Sequence, residues 1–314
     1  MPPQGASAKR LKNLKLDFFT AKGCGALHRR RRMVKFLKRG KDLIKTFKAG
    51  NFNFSSDRKT YIMGILNITP DSFFEKSRFL DPDMALEKAL EMQKLGADII
   101  DIGAQSTRPG YVEVSEDEEL KRLIPVLEKL KGKIKIPISI DTFYPKVAKI
   151  ALQYGATIIN DVHGFKNEKM WEIASKTNCG CILMHDGAYF EFENFLKLNL
   201  KKAEKYNVDP KRICFDPGIG FGKNYEEDLL SIKNAAKIIN NIAPENFSLV
   251  GLSNKRVIKN SSEAKLMEDR LFGTIAANAI SAMNGINITR VHAVKETILA
   301  LKTADAILNS KDVN

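Results

Sequence analysis

The chain has 314 residues, 44% of them hydrophobic, which allows a sizeable core and argues against wholesale disorder. Of its 51 Lys/Arg and 37 Asp/Glu, the first sixty residues hold 17 and 3; the remaining 34 and 34 cancel, so the net charge of +14 belongs to the N-terminal segment alone. Every apolar run is interrupted by charge well before the ~18 residues that a membrane span needs.

Residues 1–58 read as a basic extension. The run HRRRRMVKFLKRGKDLIKTFK, residues 28–48, puts Met33, Phe36, Leu37, Leu43, Ile44 and Phe47 on a ragged apolar stripe, which predicts a short helix in an otherwise solvated, partly disordered arm. Such a composition also suits a transit peptide, a linker or an arm that touches nucleic acid, but serines are few and there is no uninterrupted apolar stretch for secretion. The four cysteines, Cys24, Cys179, Cys181 and Cys214, form no CxxC pair. They predict reduced, mostly buried thiols in a cytoplasmic protein rather than a disulfide frame or zinc site.

From residue 59 to 314 a single barrel domain is expected. Strand-like apolar runs at 61–66, 98–102, 136–140, 157–159, 181–184, 213–215, 248–252 and 288–291 alternate with helical patterns at 84–95, 116–130, 145–154, 168–177, 192–206, 226–240, 264–283 and 294–308. Gly96, Gly155 and Asn178 close helices just before strands. Eight strand–helix units in about 250 residues predict a (β/α)8 TIM barrel, with a doubly wound sheet as the alternative. In such a barrel the chemistry belongs to the segments that follow the strands.

Those segments are rich in polar residues. Asn67 ends the first strand, in LNITPDSF, where Asp71 and Ser72 also serve as a helix start. The second leads into DIGAQSTRPG, where Thr107 offers a hydroxyl, Arg108 a planar fork for phosphate or carboxylate, and Pro109-Gly110 a turn. Asp141, Asn160 and Asp216 end strands three, four and six; together they suit the amino-amide edge of a flat heterocycle such as guanine or a pterin. The run PGIGFGK lacks Walker A spacing, so its glycines signal only a tight turn or a close approach of backbone. After strand seven, Ser253 and Lys255 offer a hydroxyl and a cation. Arg290 and His292 alternate along strand eight and make an anion clamp. His163 and His185 follow strands without metal spacing. Trp171 and most phenylalanines read as core, with Phe221 the exception because it sits in the glycine run.

The segments MGILNITPDSF, DIGAQSTRPG, ISIDT, IINDVHGF, LMH, DPGIGFGKN, LSNK and TRVHAVKET, in this order over about residues 61–310, resemble the dihydropteroate synthase family of folate biosynthesis. The resemblance implies a (β/α)8 barrel, generally a homodimer, that uses Mg²⁺ and is a target of sulfonamides. Its reaction joins para-aminobenzoate to 6-hydroxymethyl-7,8-dihydropterin pyrophosphate and releases pyrophosphate. It places Asp141, Asn160, Asp216 and Lys255 around the pterin with Met184 packed against it. It places Asn67, Arg108, Arg290 and His292 around the pyrophosphate, with Asn67 near Mg²⁺. Thr107, Arg108 and Pro109 would form a lid that completes the aminobenzoate pocket with Phe221 and Ser253. Asp141, Lys255 and Arg108 are the implied catalytic set.

The chain departs from the family pattern at Phe74 to Arg78, which replace a Ser-Asp-Gly-Gly run, at Asn254, which replaces an arginine, and at Asp186-Gly187. Two other readings stand against this one. A pterin-dependent methyltransferase would share the pterin contacts but has no need of an anion clamp. A nucleic-acid-binding protein would rest on the basic arm alone.

Overall fold

The computed structural model describes residues 44–57, 59–69, 81–105, 113–263, 265–266 and 268–310. Cys24, Asp71, Ser72, the altered loop from Phe74 to Arg78, and Thr107, Arg108 and Pro109 lie outside the described residues. A short antiparallel pair, β1 (Thr46–Ala49) and β2 (Phe52–Ser55), precedes the repeating pattern. The repeating strands are β3 (Tyr61–Asn67), β4 (Ile99–Gly103), β5 (Ile138–Asp141), β6 (Ile158–Asp161), β7 (Gly180–Met184), β8 (Ile213–Asp216), β9 (Phe247–Gly251) and β10 (Ile288–Val291). Each is parallel to its neighbours, and β10 pairs with both β9 and β3, closing the ring. The helices between them are α1 (Pro82–Leu95), α2 (Glu116–Leu130), α3 (Pro145–Gln153), α4 (Glu168–Ser175), α5 (Phe192–Lys205) and α6 (Tyr225–Ile242). The short α7 (Arg256–Ser261) and then α8 (Arg270–Met283) lie between β9 and β10, and α9 (Val294–Leu308) follows β10. The predicted (β/α)8 TIM barrel is the observed fold.

Local chemistry accounts for the helix ends. Asp81 accepts from the Asp83 amide ahead of Pro82, and Ser115 accepts from the Glu118 amide. Asn224 and Glu227 form a reciprocal capping box at the start of α6. The pattern read as one helix over 264–283 begins at Arg270 instead, because residues 256–261 form a turn of helix of their own that buries Val257 and Ile258.

Strand parity decides what lies inside the barrel. One set of alternate residues faces the helices: Cys181 and Leu183, or Val250 and Leu252, pack in the outer apolar layer. The other set faces inward, and its lower members are apolar: Met63, Ile99, Ile158, Ile182, Cys214, Leu249 and Ile288. Two residues further along the same strands the inward side chain is polar in most cases: Asp101, Asn160, Asp216 and Arg290. The barrel is therefore dry at its N-terminal end and charged toward its C-terminal mouth.

The β1–β2 hairpin closes the dry end. Phe47 stacks on Phe54 at 5.9 Å and on Phe247 at 5.8 Å between ring centroids, and the Gly50 amide donates to the Asn178 carbonyl at 2.7 Å. This corrects the expected helical stripe through Ile44 and Phe47. Burial of Phe47 and Ala49 alternates with Thr46 and Lys48, a period of two, and Gly50-Asn51 makes the turn. Cys179, Cys181 and Cys214 are free and buried in the core, and Trp171 is fully buried with its indole N–H donating to the Phe165 carbonyl at 3.1 Å.

Candidate active site

The strand register, more than any loop, assembles the polar layer. Asn67 pairs with Gly103, Gly103 with Asp141, and Asp141 with Asn160, so four neighbouring strands bring their ends to one level. Across the barrel Met184 pairs with Asp216, and Arg290 with Gly251. The sequence-predicted residues Asn67, Asp141, Asn160, Met184, Asp216 and Arg290 thus share the C-terminal end of one closed sheet.

Arg290 ties this layer together. Its Nε donates to Asp101 Oδ2 at 2.6 Å and its Nη2 to Asp141 Oδ2 at 2.7 Å. Asn160 Nδ2 donates to the same Asp101 oxygen at 3.2 Å. Asp101 is fully buried, and sequence reasoning did not single it out although it opens the DIGAQSTRPG segment. A signal was present: a carboxylate in the middle of the apolar strand IIDIG, on the inward parity of Gly103, must find a cation inside the barrel.

Burial raises Asp141 to about 7, against the opposing charge of Arg290. Asp216 is also raised by burial, with Lys255 opposing, and Asp216 Oδ1 accepts from the Gly218 amide at 2.8 Å. Burial lowers Lys255 to about 8, with Asp216 opposing. Burial works against the charge on Arg290 too, but Asp101 and Asp141 outweigh it and hold its proton more firmly. The site therefore holds a carboxyl and an amine whose proton affinities have moved toward each other and toward neutrality, as at many sites of proton or charge handling.

Lys255 and Phe221 lie together. The Lys255 ammonium donates to the Ile219 carbonyl and sits 4.8 Å from the centre of the Phe221 ring, a cation–π distance. Ser253 is also tied to the anion clamp: its hydroxyl lies 3.1 Å from His292 Nδ1 and accepts from the His292 amide at 3.3 Å. Asn254, between Ser253 and Lys255, has φ of 59°, a left-handed conformation that asparagine tolerates better than most residues. His185 is buried, and desolvation pushes it down to about 4; His163 sits at the rim and pairs with Asp186 at 3.2 Å.

Among the described residues no group of three His, Cys, Asp or Glu is placed to hold a metal. Asn67 stands differently. Its amide oxygen, a hard donor, is exposed at the end of β3 beside Gly103, while the nearby Asp141 Oδ2 is held by Arg290. That donor fits Mg²⁺, which takes few protein ligands and completes its shell with water and phosphate oxygens.

The family model described as "Pterin binding enzyme" matches residues 63–292. Dihydropteroate synthase of Clostridium beijerinckii is 42% identical over 270 residues, covering 83% of this chain and 99% of the relative. The crystal structure of dihydropteroate synthase from Clostridium difficile, obtained in the presence of pteroic acid, superposes with a TM-score of 0.75 at 39% identity, covering 81% of this chain and 98% of that one. The Thermus thermophilus enzyme in complex with 4-aminobenzoate gives 0.73 at 34% identity, covering 83% and 99%. With a barrel of this register, a buried Asp-Arg-Asp bridge at its mouth and relatives of this identity along nearly their whole length, the chain belongs to the dihydropteroate synthase family of pterin-binding enzymes.

Proposed function

We propose that the polar layer described above condenses 6-hydroxymethyl-7,8-dihydropterin pyrophosphate with para-aminobenzoate. The amine nitrogen attacks the pterin methylene, the C–O bond to pyrophosphate breaks, and the amine loses a proton, giving 7,8-dihydropteroate and pyrophosphate. The observation that carries this reading is the inward row of Asp141, Asn160 and Asp216 above a dry apolar layer, with Arg290 bridging Asp101 and Asp141.

The pterin edge suits this row. Carboxylates at Asp216 and Asp141 accept from ring N–H and amino groups, and Asn160 both donates and accepts. Lys255 donates to the ring, and Met184 lies flat against it. Ionised Asp141 also favours positive charge growing on the methylene as the leaving group departs. The aromatic amine is already a nucleophile, so the site needs no Ser-His or Cys-His pair.

The leaving group needs cations. A guanidinium carries five N–H donors, and two of those on Arg290 go to Asp101 and Asp141; the other three can meet phosphate oxygens. His292, oriented by Ser253, stands next on the same inward parity. Arg108, outside the described residues, is assigned to the same anion by its motif. Bound Mg²⁺ would neutralise charge on the pyrophosphate oxygens, with Asn67 as its protein ligand. Phe221 and Ser253, with Thr107 and Pro109, are the aminobenzoate side of the site.

A homodimer is part of the proposal. Phe272 and Ile280 on α8, and Leu299 and Ile307 on α9, are exposed and each pair is eight residues apart, which sets an apolar stripe on two adjacent helices. No described helix is long and apolar enough to cross a membrane, and the buried cysteines support a cytoplasmic location.

The test is pyrophosphate release from the purified chain with the dihydropterin pyrophosphate, para-aminobenzoate and Mg²⁺, each omitted in turn. Release coupled to dihydropteroate and requiring all three is the expected result. Release without para-aminobenzoate at an equal rate, or tight pterin binding without product, would favour a different pterin reaction.

A further inference from the structure

Lys223, the lysine that ends PGIGFGK, is used by none of the contacts above. It is 6% exposed, and its four hydrogen bonds all go to backbone carbonyls: Gly187 at 2.8 Å, Phe221 at 3.1 Å, Gly218 at 3.2 Å and His185 at 3.3 Å. Among the described residues no carboxylate forms an ion pair with it; burial lowers its proton affinity, and Asp216 and Asp228 oppose that only from longer range. An ammonium has three N–H donors, so the cage shares them among four acceptors. Burying an ammonium that has no contacting carboxylate is costly, and here the carbonyl cage is what offsets that cost at close range.

The four carbonyls come from two loops. His185 and Gly187 follow β7; Gly218 and Phe221 follow β8. The loops touch backbone to backbone: a Cβ on Gly218 would overlap the His185 carbonyl oxygen, and one on Gly222 would overlap that of Asp186. Both glycines have positive φ, 67° and 62°. Lys223 thus closes a contact that two turns without side chains make possible. The loop it fixes carries the Ile219 carbonyl and the Phe221 ring, the two groups that meet the Lys255 ammonium.

We infer that Lys223 is a positioning residue: its carbonyl cage fixes the loop after β8 so that Phe221 and the Ile219 carbonyl are presented to Lys255, and it thereby sets the aminobenzoate side of the site more strongly than the pterin side, which it reaches only through Lys255 and the Gly218 amide. The assignment of Phe221 to aminobenzoate rests on the function proposed above. Asp141 and Asn160 are held by the sheet ladder, not by this cage; Asp216 is held by the ladder too, and meets the caged loop only through the Gly218 amide. Lys223 also contributes to the depressed proton affinity of Lys255, behind burial and Arg290.

The experiment compares the full chain with Lys223→Met and Lys223→Gln, the second retaining a side-chain donor in case the first does not fold. Steady-state kinetics are expected to show KM for para-aminobenzoate raised about tenfold, with KM for the dihydropterin pyrophosphate within about twofold and partial recovery in the Gln variant. A buttress with no such role would raise both KM values together or neither, and either result in a folded variant overturns the inference. A second readout needs no turnover. Competitive acylation of Lys255 across pH, followed by mass spectrometry, is expected to show its midpoint moved to higher pH in both variants. An unchanged midpoint overturns the inference. If the unmodified chain makes no dihydropteroate, the function reading fails while the acylation result still decides whether Lys223 acts on Lys255.

Discussion

Arg290 and His292 are two residues apart and face the same side, yet their surroundings predict different consequences of removal. Arg290→Ala leaves Asp101 fully buried without its cation, so a loss of roughly 3–5 kcal/mol of stability should accompany the loss of turnover. His292 is exposed; His292→Ala should keep stability within about 0.5 kcal/mol and raise KM for the pyrophosphate substrate. Thermal melts and kinetics of the two variants separate these outcomes, and equal destabilisation by both would contradict the assignment of Arg290 as the structural bridge. Asp141→Ala should cost at least about a hundredfold in kcat with the barrel folded. Glu119, fully buried on α2, accepts from Gln105 Nε2 at 3.2 Å and has been pushed up to about 8, chiefly by burial. The unfolded chain releases that proton near 4.5. Between the two values the native state binds more protons, so this group makes stability fall as pH rises. Glu119→Gln should remove that fall and be more stable than the unmodified chain above pH 8, by a difference on the order of 2 kcal/mol in denaturant titrations.

At the level of elements, the hairpin and the barrel mouth divide the labour. The β1–β2 hairpin covers the end of the barrel opposite the polar layer, with Phe47 fully buried between Phe54 and Phe247. Phe47→Ala should therefore cost about 3–5 kcal/mol in stability while the remaining folded protein keeps its KM for both substrates. A large kinetic effect would show that the dry end communicates with the mouth. The hairpin was legible in principle: TFKAGNFNFS has alternating residues on either side of Gly-Asn. The basic run before it imposes a charge pattern that hides this short period of two. The strand ends were more readable. Three apolar runs that stop at Asp141, Asn160 and Asp216 announced the site, since a polar residue at the end of a buried parallel strand has few other uses. Asp101 and Lys223 are harder to see, because Asp101 is explained by Arg290, far along the chain, and the Lys223 cage is closed by His185 and Gly187 from the preceding strand–helix unit.

For the whole molecule, the paired shifts of Asp141 and Lys255 set a pH range. If ionised Asp141 and protonated Lys255 are the active forms, kcat/KM for the dihydropterin pyrophosphate should rise as pH passes about 7 and fall as it passes about 8. A profile flat across this range would remove both groups from the rate-determining chemistry. The exposed stripe of Phe272, Ile280, Leu299 and Ile307 predicts that sedimentation gives twice the chain mass, and that Phe272→Glu with Ile280→Glu gives monomers.

The amino-acid sequence by itself determined the eightfold repeat and the residue types at the strand ends, because hydrophobic period and the ends of apolar runs are local properties. It also confined the excess positive charge to the first sixty residues. Only the tertiary structure decided which of those ends meet. Closure of β10 onto β3 brings Arg290 to Asp101 and Asp141, 189 and 149 residues away along the chain, and the packing of two loops encloses Lys223. Buried charges are placed by the partners that compensate them, and those partners are chosen by register and ring closure, which no local stretch of sequence contains.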